Sequence, residues 1–215
     1  MTTDKGIVLH DWEVRAVLNG ATQLRRVVKP QPVYNGELEM WVWPNALHGY
    51  ASCYPESGLR EMLPVVAPFQ PGQRLWVREK WSHWADEMTK EAAEHSIFPE
   101  PLPVGPVVYA ADFVKDCPPL DVGGCETWRS PTTMPRWASR ITLEVTSTGA
   151  GRVQEITYED ILAMGWDARS SQPMSNGTAG EDALAWVIAH WNADNPKYPW
   201  ESNPWNWVYG VRRVE

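Results

Sequence analysis

Two adjacent arginines, Arg25 and Arg26, lie in the segment "NGATQLRRVV" (19–28), where a tight turn leads into a strand-like run. Neighbouring side chains of a strand point to opposite faces, so at most one of the two is expected to face a given cleft. Arginine holds phosphate through two parallel hydrogen bonds, and both arginine and tryptophan stack on nucleobases. The pattern predicts a cleft for a planar, anionic ligand with a lining drawn from Arg25, Arg26, Trp76, Arg78, Arg136, Trp137 and Arg140.

A carboxylate also lies in one of these segments, at Glu79 in "QPGQRLWVREKW" (70–81). Period-two alternation puts Glu79 on the face of its strand that carries the apolar residues. A carboxylate on an apolar face is either paired with a cation or has a raised pKa. Glu79 is therefore the candidate general base if the protein is an enzyme. The alternative is that Arg78 and Arg140 form structural ion pairs with Glu79, Glu144 or Asp160.

The overall charge of the 215-residue chain limits the kinds of partner. The sequence has 19 basic and 27 acidic residues, a formal net charge of −8. Non-specific coating of nucleic acid depends on many neutralised phosphates, so this class is excluded, whereas a local basic cleft is not. We expect most of the 14 tryptophans to fill core and sheet positions and a minority to line a pocket.

The sequence contains no metal or cofactor motif. Cys117 and Cys125 are too far apart for a compact zinc knuckle, and three cysteines, with Cys53, are an odd number. Free thiols are therefore favoured over zinc ligands or disulfides. The sequence shows neither an apolar stretch long enough to span a bilayer nor a secretory signal. We therefore expect a cytoplasmic protein with no cofactor and no membrane partner.

Hydrophobic periodicity predicts a mixture of helices and mostly antiparallel strands without strict alternation. The strand at 140–156 opens with the clearest alternation, in which Ile141, Leu143 and Val145 face inward. A helix at 157–165 has Thr157 as its N-cap and Gly165 as its stop. The other predicted elements are helices at 11–20, 85–95 and 181–194, strands at 22–28, 70–81 and 106–111, a hairpin around 37–43 and a C-terminal strand. This order predicts an α+β fold built on a small, curved β-barrel with helices at its side.

Four blocks of the sequence resemble the phage and prophage branch of the ASCH-domain family, within the PUA-like superfamily. They are the opening stretch with "NGATQLRR", then "PGQRLWVREKW", "MPRWASRITLEV" and "NPWNWVYGVRRVE", and they occur in the family's order between about residues 6 and 214. The resemblance implies a single PUA-like domain over 1–215, with long insertions at about 33–70 and 83–127. It also implies a phage- or prophage-encoded protein that acts in the cytoplasm of a bacterial host.

The resemblance further implies a role in binding nucleic acid or nucleotides. Small bacterial ASCH proteins hydrolyse N4-acetylcytidine with a lysine, a threonine and a glutamate. The corresponding positions here hold Ala21, Leu24 and Met164, which can supply neither a base nor a nucleophile. Thr22, Gln23 and Arg26 do match family positions. The sequence therefore predicts a protein that binds RNA, single-stranded DNA or a modified nucleotide.

In this hypothesis the predicted site residues have separate roles. Thr22 and Gln23 hydrogen-bond a base, and Arg26 with Arg78 holds phosphate or a base edge. Trp76 or Trp137 stacks on the base, and Arg136 adds positive charge to the cleft.

Two other functions remain open at this point. One is a hydrolase with a rearranged site, in which Glu79 and Thr22 act on an N-acylated nucleoside or on RNA. The other is a phage assembly or protein-interaction module that contacts its partner through exposed tryptophans of "NADNPKYPWESNPWNW" (192–207).

Overall fold

The computed structural model describes residues 4–45, 50–83, 107–113, 128–167 and 178–214. The predicted helix at 85–95 and the cysteines Cys117 and Cys125 lie outside these residues. None of the helices within the described ranges combines the length and the apolar character that crossing a lipid bilayer requires.

The described residues form an α+β structure, as the sequence predicted. The helices are α1 (Asp11–Leu18), α2 (Glu56–Val66), α3 (Tyr158–Ala163) and α4 (Ala179–Asp194). The strands are β1 (Lys5–Val8), β2 (Gln23–Val27), β3 (Val33–Asn35), β4 (Met40–Asn45), β5 (Tyr50–Tyr54), β6 (Arg74–Arg78), β7 (Trp81–His83), β8 (Val107–Tyr109), β9 (Thr142–Arg152) and β10 (Trp205–Arg213).

A five-stranded mixed sheet organises the fold, with the strand order β1-β6-β9-β10-β2. β1 pairs with β6 in parallel, and the other neighbours in this sheet are antiparallel. Backbone ladders among the described strands do not close the sheet into a barrel. The two edges nevertheless approach each other, because Arg26 Nη2 on β2 donates to the carbonyl of Val8 on β1 at 3.1 Å. A side chain therefore bridges the gap between the edge strands.

The core lies under the central strands of this sheet. Ile141, Leu143 and Val145 are buried, as predicted, but Thr142, which alternation places on the outer face, is buried as well. Trp205 and Tyr209 of β10 are fully buried in the same cluster, which also includes Leu59 and Leu63 of α2. Burial of the apolar face of α2 thus packs the 33–70 insertion against the sheet.

The predicted insertion at 33–70 has defined structure. Strands β3, β4 and β5 form a separate antiparallel sheet, and α2 follows it. The hairpin predicted around 37–43 corresponds to β3 and β4, which are joined by a turn at 36–39.

Local signals fix the ends of two helices that border the candidate site. α1 ends at Asn19-Gly20, where Gly20 has a φ of 95°. In α3 the Thr157 hydroxyl accepts from the backbone N–H of Asp160, and the Asp160 carboxylate accepts from the Thr157 N–H, as predicted. Gly165 follows with a φ of 103°, a conformation that favours glycine.

Helical spacing in α4 predicts a buried stripe of Leu184, Val187, Ile188 and Trp191. Val187 and Trp191 are buried as predicted, but Ala183 is buried in place of Leu184, which is exposed. The small side chain of Ala183 lies in the contact with α3, so the larger Leu184 is turned outward. The prediction was wrong for Leu184, because a small side chain lets the two helices approach closely at this point.

Candidate functional site

A cavity of about 60 Å³ opens between the start of α1, strand β2 and the C-terminal half of α4. Below it is called the α1–α4 cavity. Its walls combine charged, amide, imidazole and aromatic side chains, a composition typical of sites that orient a small ligand. The lining residues are His10, Trp12, Glu13, Arg25, Arg26, Met164, Val187, His190, Trp191, Asp194 and Asn195.

Arg26 forms a paired contact with Glu13 on one wall of the cavity. Arg26 Nη1 lies 2.6 Å from Glu13 Oε1, and Nη2 lies 3.0 Å from Oε2. Oε2 also accepts from the backbone N–H of His10 at 3.0 Å. Glu13 is only 3% exposed, so the arginine neutralises a carboxylate that water reaches poorly.

Arg25 has a different set of partners from those of Arg26. Its Nη2 lies 3.0 Å from Asp160 Oδ2, and its guanidinium also donates to Gln23 Oε1 and Asn206 Oδ1. Burial lowers the pKa of Arg25, and the charge of Asp160 opposes this effect. Both arginines line the α1–α4 cavity, although alternation predicted that only one would face a cleft. β2 is an edge strand, so a cavity beside it can reach residues from both faces.

Asp160 is held by three groups around its carboxylate. Burial raises its pKa, but the N–H of Thr157, the amide of Gln23 and the charge of Arg25 together outweigh burial and lower it. Gln23 Nε2 donates to Asp160 Oδ1 at 2.8 Å. Gln23 is thus engaged with Asp160 and Arg25 rather than directed into the cavity.

A histidine–carboxylate pair lies on the opposite wall. His10 Nδ1 is 3.3 Å from Asp194 Oδ1, and the indole N–H of Trp12 donates to Asp194 Oδ2 at 2.9 Å. Burial raises the pKa of Asp194, against the lowering effect of the Trp12 hydrogen bond and of His10. When His10 carries its proton on Nδ1, its Nε2 is left as an acceptor.

Aromatic rings surround this pair. Trp12 packs edge-on against Trp186 at 5.3 Å between ring centroids, and His190 lies 4.7 Å from Trp12. His190 Nδ1 is 2.9 Å from the carbonyl of Trp186. His190 is half-buried and lines the cavity.

Three of the other predicted ligand residues form a separate cluster beside β1. The guanidinium of Arg78 stacks 4.4 Å from the ring centroid of Trp76, and that of Arg136 lies 5.8 Å from it. Arg136 also pairs with Asp4 at 3.3 Å. Trp76 itself is buried, at 8% exposed.

The Arg78 cluster lies next to the edge of the sheet that Arg26 reaches, because Val8, whose carbonyl accepts from Arg26, pairs with Arg78. None of the three cluster residues lines the α1–α4 cavity. Trp137 is 56% exposed, and its ring contacts Trp81 at 6.2 Å rather than Trp76.

Glu79 is fully buried and bound by Arg140. Arg140 Nε and Nη2 donate to its two carboxylate oxygens at 3.0 and 2.9 Å, and Arg140 also makes two 2.8 Å hydrogen bonds to Asp112. The guanidinium carbon lies 3.9 Å from the Tyr109 ring centroid. Burial raises the pKa of Glu79, and the hydrogen bonds from Arg140 oppose this. The geometry is that of the structural ion pair foreseen as the alternative role.

Thr22 lies in a different depression from Glu79. It lines a shallow surface with Gly20, Ala21 and Val211, and its carbonyl accepts from the Val211 N–H. Glu79 is not among the residues that line this depression. The catalytic combination of Thr22 with Glu79 stays a prediction.

Two of the positions that correspond to catalytic residues in the ASCH resemblance lie in different parts of the structure. Leu24 is 3% exposed and belongs to the core, whereas Met164 lines the α1–α4 cavity beside Arg26. No family model, curated protein or solved structure matches this chain. Membership of the ASCH family therefore stays a prediction.

The tryptophans expected to meet a protein partner are largely covered by this chain itself. Trp205 and Trp207 are buried, and Trp200 is half-buried against α4. The segment 192–207 therefore does not present these rings as an exposed surface.

Sequence reasoning missed most of the polar lining of the cavity. One signal was present, because Glu13 and Val17 are four residues apart and share the buried face of α1. This is the same pattern of a carboxylate on an apolar face that singled out Glu79. His10 and Asp194 are 184 positions apart, and no local pattern connects them.

Proposed function

We propose that this chain is a PUA-like protein that binds a nucleobase, free or within a nucleotide, in the α1–α4 cavity. The observation that carries the proposal is the meeting of paired hydrogen-bonding groups and aromatic rings around one small space. Arg26 with Glu13 and His10 with Asp194 offer donors and acceptors, and Trp12 and His190 offer ring surfaces. A base is recognised by hydrogen bonds at its edge together with stacking on its face.

The charges of the cavity favour a base over a phosphate as the group that is read. Arg26 is neutralised by Glu13 and Arg25 by Asp160, while Asp194 adds a further acidic group. A phosphate would have to compete with these carboxylates for the arginines. The interior volume of about 60 Å³ holds a few water molecules or the edge of one ring rather than several nucleotides.

Two observations support the PUA-like assignment behind the proposal. Arg26 spans the gap between the edge strands β2 and β1, an arrangement expected of a nearly closed pseudo-barrel. Arg26 and Met164, which correspond to two positions of the ASCH pattern, also line the same cavity. The sequence resemblance and the cavity lining therefore both support the α1–α4 cavity as the binding site.

A titration of plain and modified nucleosides and nucleotides, followed by tryptophan fluorescence, tests the proposal. We expect saturable quenching that weakens about tenfold in H190A and in D194N, since each loses a contact worth about 1–2 kcal/mol. The control is L162A, because Leu162 is exposed and does not line the cavity. A nucleotide that binds far more tightly than its nucleoside would contradict a base pocket, as would the absence of quenching by every ligand.

The contact between His10 and Asp194 favours hydrolysis as a second candidate function. A carboxylate that orients Nδ1 leaves Nε2 able to take a proton from water. The water oxygen would attack the acyl carbon of an N-acylated base, and the amine would leave with a proton returned by His10. Mass spectrometry of each titration mixture distinguishes the two functions. Ligands recovered intact support binding, and release of the acid with the free base supports hydrolysis that H10A should abolish.

A further inference from the structure

A second groove lies beyond the C-terminal end of α4, and we infer that it binds a nucleotide of a single-stranded nucleic acid. Below it is called the Tyr34 groove. It has a volume of about 410 Å³ and is lined by residues of β3, β4, the end of β9 and the segment 197–204. The residues that carry the inference are Tyr34, Trp41, Tyr198, Arg152 and Lys197.

The aromatic residues of the groove provide an open stacking surface. Tyr34 is 53% exposed, and its ring lies 5.4 Å from that of Trp41 on the neighbouring strand. Tyr198 lines the opposite side of the groove. Exposed aromatic rings next to one another are what single strands use, because every base has a face that can stack.

Among the described residues, the cations that line the groove form no direct side-chain ion pair. Arg152 stacks on Trp41 at 4.9 Å and on Trp205 at 5.6 Å. Burial lowers its pKa, and the carboxylates of Glu56 and Glu155 act on it only as nearby charges that oppose this effect. Its neighbour Glu155 is held instead by Arg60, with contacts of 2.9 and 2.5 Å. Arg152 is therefore held in place by rings and keeps its hydrogen-bonding capacity for a ligand.

Two lysines extend the positive charge. Lys197 is exposed on the rim, and Lys29 lies 5.9 Å from the ring centroid of Tyr198. Of the described residues that line the groove, none is acidic. On a chain with a net charge of −8, this local excess of positive charge is complementary to a phosphate backbone.

The position of the groove suggests how it works together with the α1–α4 cavity, a step that rests on the proposed function. Asn195 lines the cavity and Lys197 lines the groove, and the Cα atoms of these two residues are at most about 7 Å apart along the chain. A strand with one base in the cavity would pass its neighbouring nucleotide over this turn onto Tyr34. The cavity would then read a base and the groove would hold the adjacent strand.

Fluorescence anisotropy with labelled oligomers of deoxythymidine and of uridine, about eight nucleotides long, tests the inference. We expect these oligomers to bind at least about tenfold more tightly than the corresponding mononucleotides. Tyr34→Ala should weaken oligomer binding about tenfold by removing one stacking surface. The matched control is Leu38→Ala, since Leu38 is an exposed residue of the same hairpin that does not line the groove.

The salt dependence of binding provides a second measurement. The logarithm of the association constant should fall with the logarithm of salt concentration, and Lys197→Ala should reduce this slope by about 0.7. Lys5→Ala is the control, because Lys5 is exposed and bonds to the carbonyl of Pro68 on another part of the surface. The inference is overturned if the oligomers do not bind. It is also overturned if they bind the Tyr34→Ala and Lys197→Ala variants with the same affinity as the unmodified protein.

The experiment separates the two proposals. If nucleosides bind and oligomers bind no more tightly, the cavity proposal is supported and the groove inference is contradicted. If oligomer binding depends on Tyr34 and Lys197 and nucleosides do not bind, the groove inference is supported and the cavity proposal is contradicted. If neither nucleosides nor oligomers bind, both are contradicted.

Discussion

Arg26 and Glu13 form a buried ion pair that joins strand β2 to helix α1 at the wall of the α1–α4 cavity. Their paired contacts are 2.6 and 3.0 Å long, and the same guanidinium reaches the carbonyl of Val8 on the opposite edge of the sheet. One side chain thus connects the two edge strands and a helix. Arg26 is therefore both a structural residue and a possible contact for a ligand, and experiments on it must separate these roles.

Replacement of Arg26 by alanine should destabilise the protein strongly. The change leaves the carboxylate of Glu13 buried without a cation, which costs about 3–5 kcal/mol of unfolding free energy. The double variant E13Q/R26M removes both charges and should recover a large part of this loss. Urea denaturation measures all three proteins. The control R212A breaks an exposed pair with Glu144 and should change stability little. A loss in R26A no larger than in R212A would contradict the structural role of the pair.

The Asp160–Arg25 contact should make stability depend on pH. The pKa of Asp160 is lowered in the folded protein, so its contribution is present above the ordinary aspartate value of about 3.9 and is lost as pH falls through the lower folded value. Asp160→Asn removes this contribution and should cost about 2 kcal/mol at neutral pH, because the buried guanidinium of Arg25 loses its charged partner. Urea denaturation at several pH values should show the gap between the two proteins closing below about pH 4. A gap that stays constant across this range would show that the charge of Asp160 is not the cause.

The elements that the sequence predicted are those whose signals are local. The alternation of Ile141, Leu143 and Val145 depends only on the period of a strand, and all three are buried. The cap at Thr157 and the stop at Gly165 depend on residues within one helical turn. Helix α2 was missed because Gly58 and Pro64 disfavour a helix, and burial of Leu59 and Leu63 overrides this preference.

The site was harder to predict because it depends on which elements become neighbours. The sequence grouped Trp76 and Arg78 with Arg26, but only Arg26 of these three residues lines the α1–α4 cavity. It could not bring His10 next to Asp194, since the packing of α1 against α4 involves no repeated or local pattern. Alternation did predict that Glu79 faces the core, and the remaining question was which arginine would meet it.

The close contact between α1 and the end of α3 should make Gly165 sensitive to substitution. A Cβ at this position would lie 2.5 Å from Cβ of Ala16, and the φ of 103° is itself unfavourable for alanine. Gly165→Ala should therefore cost about 1 kcal/mol for the backbone and a further 1–3 kcal/mol for overpacking. Gly72→Ala is a matched control, because Gly72 has a φ of 82° with no atom within 4 Å of the added Cβ. Thermal and urea denaturation should give the larger loss for Gly165→Ala. Equal losses for the two variants would show that α1 moves aside without cost.

The bidentate contact between Glu79 and Arg140 predicts how variants of Glu79 should behave. Glu79→Ala leaves Arg140 with Asp112 alone and creates a cavity in the core, so we expect a loss of about 3 kcal/mol in urea denaturation. Glu79→Gln keeps the shape of the side chain, and it should leave nucleoside affinity unchanged because Glu79 does not line the α1–α4 cavity. Both measurements are needed to tell the two roles apart. A structural glutamate affects stability and leaves ligand affinity unchanged, whereas a catalytic glutamate is required for turnover. Turnover of an N-acylated nucleoside that is abolished in a stable, fully folded Glu79→Gln protein would establish Glu79 as a general base. In that case the Arg140 contact would have to open during the reaction, and the structural ion pair described here would be only a resting arrangement.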